Sequence, residues 1–349
     1  MRSEVNGALL TFSYGSFLLT YPNFGPISIK IVEALNANPY EFFSCFYLSH
    51  VLGIAFSSIF LDRVEKRIRL LKVTIPVLIS SAFLTIFNHL AIFAIGFTMG
   101  VFIVILGSYF ARFIKPWRRG KTFAFGAFMS NVYLFLLTKL TFLNLPVLVL
   151  LSILPLLLVF TIPNENFELR SSKINGKFVY FSLPVFVFYF VGGVMYGIME
   201  KAFREAGIST HVLFYATLVI LAGIVYDKVD RKIVAIAGLI ALSASLLLFP
   251  SSLVYSAHLI QSSYAFVDVF AMMIWADISR VGSEAKQYGI GMLSITLPIY
   301  LGFLLSESFS FQLSTTIMIV LLVLSAFLLG SVEEPATTPE EYLRWLARR

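Results

Sequence analysis

Apolar runs long enough to cross a lipid bilayer recur along this chain, and no other feature constrains its fold as tightly. A helix needs about 20 apolar residues to span the hydrocarbon core. With charge clusters and turn residues as punctuation, twelve such runs appear, near 7–32, 41–61, 70–87, 89–113, 122–140, 144–163, 177–199, 210–226, 233–249, 252–276, 288–307 and 311–331. The breaks at Asn88–Leu90, Leu140–Asn144 and Phe249–Ser252 are short and nearly uncharged. Hydrophobic residues make up 58% of the 349 and charged residues only 13%, so apolar side chains fill whole windows rather than one helical face. That excludes a water-soluble core and leaves an all-α membrane protein, since in lipid every backbone polar group of a lone segment must be satisfied within its own helix.

The basic residues give the orientation. A net charge of +7 would suggest nucleic acid in a soluble protein; here it reports topology, and no nucleic-acid partner is expected. If the N-terminus is cytoplasmic, all but four of the 26 lysines and arginines fall on the cytoplasmic side, the exceptions being Lys30, Lys139, Lys201 and Arg204. An even span count then makes both termini cytoplasmic, and a plasma-membrane protein is expected. The first apolar run is too long for a signal-peptide core and reads as an uncleaved helix. The lone cysteine, Cys45, can form neither an internal disulfide nor a cysteine-based metal site.

The longest polar stretch between spans, Asn164–Lys177, divides the chain. The expected organisation is a six-helix bundle over 1–163, a cytoplasmic linker over 164–176, a second six-helix bundle over 177–331 and a cytoplasmic tail over 332–349. The tail could form a short amphipathic interfacial helix. The halves repeat one another. DRVEKR at Asp62–Arg67 falls 165 residues before DKVDRK at Asp227–Lys232, and each position keeps its sign or its apolar character. At the same shift Lys121 meets Lys286, Gly126 meets Gly291 and Ala111 meets Ala276. Basic loops are common on the cytoplasmic side; two leading aspartates at one offset are not explained by that. Six spans per half make the repeats parallel, related by an axis along the membrane normal.

This doubled acid-basic-x-x-basic loop, after spans two and eight, resembles the signature loop of the major facilitator superfamily. The family's glycine four residues before the aspartate is present as Gly223 and replaced by Ser58 in the first half; Glu65 and Asp230 stand where the family often has glycine. The resemblance covers Gly7 to about Ser331. It implies twelve transmembrane helices in two pseudo-symmetric bundles and a rocker-switch transporter. It also implies a conformational gate from Asp62, Arg63, Lys66, Asp227, Lys228 and Arg231, with the aspartates at helix ends holding the cytoplasmic side closed. An acid is stabilised at a positive helix N-terminus, and such contacts bias a two-state equilibrium.

Ionisable or polar residues deep in an apolar span are candidates for substrate or proton handling. Asp268 lies twelve residues before Arg280, about 18 Å from the cytoplasmic charges at 1.5 Å per residue. It is a candidate proton carrier, a contact for a cationic or hydroxylated substrate, or a hydrogen-bonded structural acid. His50 is similarly deep and could relay a proton or simply bond a neighbouring helix. Asn131 is a candidate substrate contact. Asn23, between Pro22 and Pro26, marks a break in the first helix that could free backbone carbonyls. Tyr189 is a candidate aromatic wall. His258, Gln261, Glu200 and Glu307 lie nearer the external face, and Gly96-x-x-x-Gly100 and Gly193-x-x-x-Gly197 suit close helix packing.

These features point to a secondary transporter of a small organic solute, expected to be monomeric, with the bilayer, the solute and a proton as its partners, and no cofactor or metal. The absence of a membrane-embedded arginine in span four and of a Gly-Pro pattern in span five disfavours a multidrug–proton antiporter. The alternative is a non-transporting sensor or assembly factor on the same scaffold. No H-E-x-x-H, C-x-x-C or P-loop supports an enzyme or an ATP-driven pump, and the four histidines are scattered.

Overall fold

Asparagines and aspartates start many of the helices, because a short polar side chain can satisfy amides that the first helical turn leaves unpaired. In the computed structural model, which describes residues 2–169, 178–206, 211–306, 311–333 and 340, Asn38 accepts from the Tyr40 amide with Pro39 at the first helical position. Asn144 accepts from Val147, and Asp230 from Lys232 and Ile233. Asn88 does the same for Leu90. Two of the short, uncharged breaks in the sequence are therefore real helix ends made by one asparagine each.

The described residues form thirteen α-helices: α1 (Arg2–Thr20), α2 (Pro26–Ala34), α3 (Pro39–Phe60), α4 (Arg67–Leu84), α5 (Ile92–Phe113), α6 (Arg119–Thr138), α7 (Leu145–Ile153), α8 (Phe178–Glu205), α9 (His211–Lys228), α10 (Arg231–Leu248), α11 (Leu253–Ile278), α12 (Glu284–Leu305) and α13 (Phe311–Ser331). Every expected span is occupied. The first is split into α1 and α2, and the sixth runs as α7 followed by a 3₁₀ segment, Leu154–Thr161. The split lies where the prolines forecast it: Phe24 sits at φ 52°, and Ser28 Oγ donates to the freed Tyr21 carbonyl. By length and composition alone, six of the described helical stretches can cross a membrane unaided, among them Pro39–Arg63, His89–Phe113 and Leu253–Ile278. Residues 170–176 of the linker, the tail beyond 333 apart from Glu340, Glu307, and the side chains of Glu200 and Gly197 lie outside what is described.

Two compact units result, and they exchange segments. Unit 1 holds 1–114, 126–174 and 279–293; unit 2 holds 115–125, 175–278 and 294–349. Helices α6 and α12 thus each begin in one unit and end in the other. Within unit 1, α3 and α5 pack at backbone distance, because a Cβ on Gly53 would overlap the Phe97 carbonyl and one on Gly100 the His50 carbonyl. Within unit 2, Gly193 and Gly302 do the same for α8 and α12. Close approach through small residues is how helices gain dispersion contacts where lipid removes the hydrophobic drive between them.

Candidate functional site

Each signature aspartate caps a helix from the other half of the sequence, inside one unit. In unit 1, Asp62 lies just after α3. Its Oδ1 accepts the Ala285 amide at 2.9 Å and its Oδ2 the Lys286 amide at 3.0 Å, both in the first turn of α12. In unit 2, Asp227 near the end of α9 accepts the Gly120 amide at 2.8 Å and the Lys121 amide at 2.9 Å, at the start of α6. Acceptor and donors are all related by the 165-residue shift. An anionic carboxylate taking two amides at a helix N-terminus gains charge-assisted hydrogen bonds and the favourable end of the helix dipole.

The approach depends on small residues one turn back. A Cβ on Gly223 would meet Ala124 Cβ and the Gly120 carbonyl; at the equivalent crossing Ser58 stands against Gly289. The serine in place of glycine therefore leaves the first crossing intact. Asp227 lies one residue beyond the apolar run of α9 and is only 3% exposed. Burial pushes its carboxyl up to about 6, against the opposing pull of the Lys121 and Gly120 amides.

Around these caps the two units differ. In unit 2, fully buried Asp277 at the end of α11 takes Arg119 Nη1 and Arg231 Nε at 2.7 Å each and the Tyr226 hydroxyl at 2.6 Å. In unit 1, Arg67 donates to Asp62 at 3.0 Å and lies 3.8 Å from Glu284. Its guanidinium stacks 4.4 Å from the Phe167 ring, and the Phe167 amide donates to the Glu65 carbonyl. The shift pairs Arg119 with Glu284 and Asp277 with Arg112, so the charges are reversed between halves; Arg112 pairs instead with Glu168.

Of the six gate residues, Asp62, Asp227 and Arg231 make these contacts. Arg63, Lys66 and Lys228 are exposed, with no ion pair among the described residues. Arg67 holds the place expected of Lys66, because the first loop is one residue longer: five positions separate Asp62 from Arg67, and four separate Asp227 from Arg231. Asp277 is one of the residues that sequence reasoning missed, as are Arg119, Tyr215 and Tyr264. Applying the 165-residue shift to charges outside the loop would have matched Asp277 to Arg112.

The deep polar candidates fall into two groups. In unit 2, Asp268 on α11 is held between two helices. Tyr189 of α8 donates to its Oδ1, and Tyr215 of α9 donates to its Oδ2 at 2.7 Å. Tyr264 stands one turn earlier on α11, its ring 6.4 Å from that of Tyr189. Asp268 and Tyr189, singled out separately in the sequence, thus meet; Tyr215 and Tyr264 join them. In unit 1, buried His50 on α3 has its Nε2 3.4 Å from the Tyr14 hydroxyl of α1 and its ring edge-on to Phe46. Asn131 donates to the Ala127 carbonyl of its own helix, and Asn23 accepts from the Tyr47 hydroxyl at 2.6 Å. His50, Asn131 and Asn23 each have separate hydrogen-bond partners. Among the described residues no group of three or more His, Cys, Asp or Glu side chains is placed to hold a metal ion.

The fold has counterparts among solved structures. A proton:xylose symporter of the major facilitator superfamily, XylE, superposes with a TM-score of 0.71 over 99% of this chain and 97% of its own, at 16% identity. This chain has the major facilitator fold. The human organic anion transporter MFSD10 matches at a TM-score of 0.69 and 14% identity over 94% of this chain and 98% of its own. A bacterial homologue of the iron transporter ferroportin, in an outward-facing state, matches at 0.67 and 11% over 94% and 98%. No protein-family model matches the sequence, and no curated protein does. The fold and its apolar helices make this a multi-pass membrane protein.

Proposed function

We propose that the chain is a secondary transporter that carries a small organic solute across the membrane by alternating access. One observation supports this above the rest: two carboxylates, Asp62 and Asp227, cap helices α12 and α6 that begin in one compact unit and end in the other. A static scaffold has no need for the same two-amide device twice. A protein that must hold one form and release it does, because each cap contributes only while its helix start is in place.

In this reading the caps lie on the cytoplasmic side, the plasma membrane is the host, both termini are cytoplasmic, and the sequence halves 1–163 and 177–331 are the moving bodies. Asp62, Asp227 and Arg231, with Arg67, Arg119 and Asp277, form the gate. Asp268 with Tyr189 is the substrate or proton site, and His50 with Tyr14 is a second polar centre. The structural neighbours carry different cargoes by name, a sugar, organic anions and iron, so the fold does not choose the solute.

The test is solute flux into proteoliposomes containing the purified protein, with and without a pH gradient, for wild type, Asp62→Asn and Asp227→Asn. Transport predicts saturable flux that both variants alter. Absence of flux for every solute that stabilises the protein, together with tolerance of Asp62→Lys and Asp227→Lys, would instead establish the sensor or assembly-factor alternative. Proton coupling through Asp268 fails if Asp268→Asn leaves gradient-driven uptake unchanged.

A further inference from the structure

A carboxylate fixed by the protein yet left without a protein cation is an open electrostatic position. Asp268 is such a group. Its two oxygens each receive a tyrosine hydroxyl, from α8 and from α9, which fixes the plane of the carboxylate. Among the described residues no lysine, arginine or histidine pairs with it. Two hydrogen bonds leave about half of a carboxylate's acceptor positions unused. Asp268 is not sealed in, and Tyr264 and Tyr215 beside it are also partly exposed.

The surroundings are aromatic. Tyr189 and Tyr264 present rings tilted at 46° to each other, and Phe188 meets Tyr264 edge-on at 5.3 Å. The Tyr264 hydroxyl has no hydrogen-bond partner among the described residues. It reaches its place because residue 192 is glycine: a Cβ there would overlap the Tyr264 hydroxyl oxygen. The cluster therefore combines a fixed anion, an idle hydroxyl oxygen that can accept a hydrogen bond, and ring faces with negative quadrupoles. Each of these attracts a cation, and the combination of carboxylate and ring faces disfavours an anion.

We infer that the Asp268–Tyr189–Tyr215–Tyr264 cluster binds an organic monocation bearing an N–H ammonium, with its nitrogen on Asp268 and its carbon skeleton against the tyrosine rings. This deepens the transporter reading by naming the cargo class, and rests on that reading only in calling the ligand a cargo. A neutral solute of the same shape would forgo the ion pair. An anion would meet the carboxylate at close range.

The experiment compares three probes of similar shape at pH 7 on the purified full chain in lipid nanodiscs: phenethylammonium, neutral 2-phenylethanol and anionic 3-phenylpropanoate. Binding is read by isothermal titration calorimetry and by the rise in unfolding temperature that a ligand of the native state produces. The expected result is binding of phenethylammonium at least about 10-fold tighter than 2-phenylethanol, and none of the anion. Asp268→Asn is expected to weaken the cation about 30-fold or more while leaving the neutral probe unchanged. Gly192→Ala, which pushes only on the end of the Tyr264 side chain, is expected to weaken the cation about 10-fold without lowering the ligand-free unfolding temperature.

Equal affinity for the cation and the neutral probe, no cation binding up to about 10 mM, preference for the anion, or Asp268→Asn binding the cation within about 2-fold of wild type would each overturn the inference. Should Asp268→Asn fail to fold, the wild-type selectivity order decides alone. Failure of the transporter reading looks different: Asp268-dependent binding of the cation without flux keeps the site and removes transport. Flux of a neutral or anionic solute that Asp268→Asn does not touch keeps transport and removes the site.

Discussion

Replacing Asp277 by alanine is the change in this structure whose cost is most sharply fixed by geometry. The carboxylate is fully buried, and its two guanidinium partners, Arg119 and Arg231, have side chains 4% and 0% exposed. Removing one partner of a buried pair costs about 3–5 kcal/mol, because the remaining charge keeps its desolvation penalty and loses its compensation. The Tyr226 hydroxyl loses its acceptor as well, worth about 1 kcal/mol. Asp277→Ala should therefore destabilise by about 4–6 kcal/mol. The triple change Asp277→Leu, Arg119→Met, Arg231→Met removes the charges together and should cost no more than about 2 kcal/mol. The assay is reversible unfolding in mixed dodecylmaltoside–SDS micelles, followed by circular dichroism and by fluorescence of Trp275, buried two residues before Asp277. The mutational costs must then be strongly non-additive. A single variant that loses less than about 1 kcal/mol, or a triple that costs as much as the single, would refute the view that paired burial holds this end of unit 2.

Asp62→Asn turns two charge-assisted amide bonds into one neutral bond and should cost about 1.5–3 kcal/mol in the same unfolding assay. Because burial holds the docked Asp227 carboxyl at about 6, above its value in water, the docked form takes up a proton more readily than an undocked one; lowering the pH from 7.5 to 5 should strengthen docking. Hydrogen exchange at the Gly120 and Lys121 amides, corrected for intrinsic rates, measures this, and Asp227→Asn should flatten it. Gly53→Leu would drive a side chain into the Phe97 carbonyl and should abolish a folded product in size-exclusion chromatography, whereas Gly330→Leu, with open space around it, should not. Phe167→Ala removes the ring over the buried Arg67 guanidinium and should lower stability by about 1–2 kcal/mol, with Phe167→Tyr retaining it.

The order of helices was legible because lipid imposes a length on every span, and that length is written in linear sequence. The break between α1 and α2 was legible because Pro22 and Pro26 bracket it. The two aspartates were legible through repetition alone. What each aspartate touches was not: amides carry no side-chain signal, and those of Gly120, Lys121, Ala285 and Lys286 are distant in sequence. Lys66 was favoured over Arg67 because a shift assumes loops of equal length, and one extra residue moves the buried position by one. Asp277 was hidden by its place at a helix end two residues before Ser279-Arg280, where an acid reads as a solvated terminus. Asp268 stood out by depth and Tyr189 as an aromatic wall; Tyr215 and Tyr264 did not, since the chain has 16 tyrosines and only folding selects among them.

The exchange of segments between the two units has a consequence for how the protein is made. Asp227 bonds amides 107 and 106 residues behind it, already synthesised when it leaves the ribosome. Asp62 bonds amides 223 and 224 residues ahead, and it waits through most of translation for them. The amides that Asp227 needs are therefore available before those that Asp62 needs. Until α12 begins, the nascent protein carries Asp62 and Arg67 without the helix start that completes them. Vectorial synthesis breaks a symmetry that the finished repeat conceals.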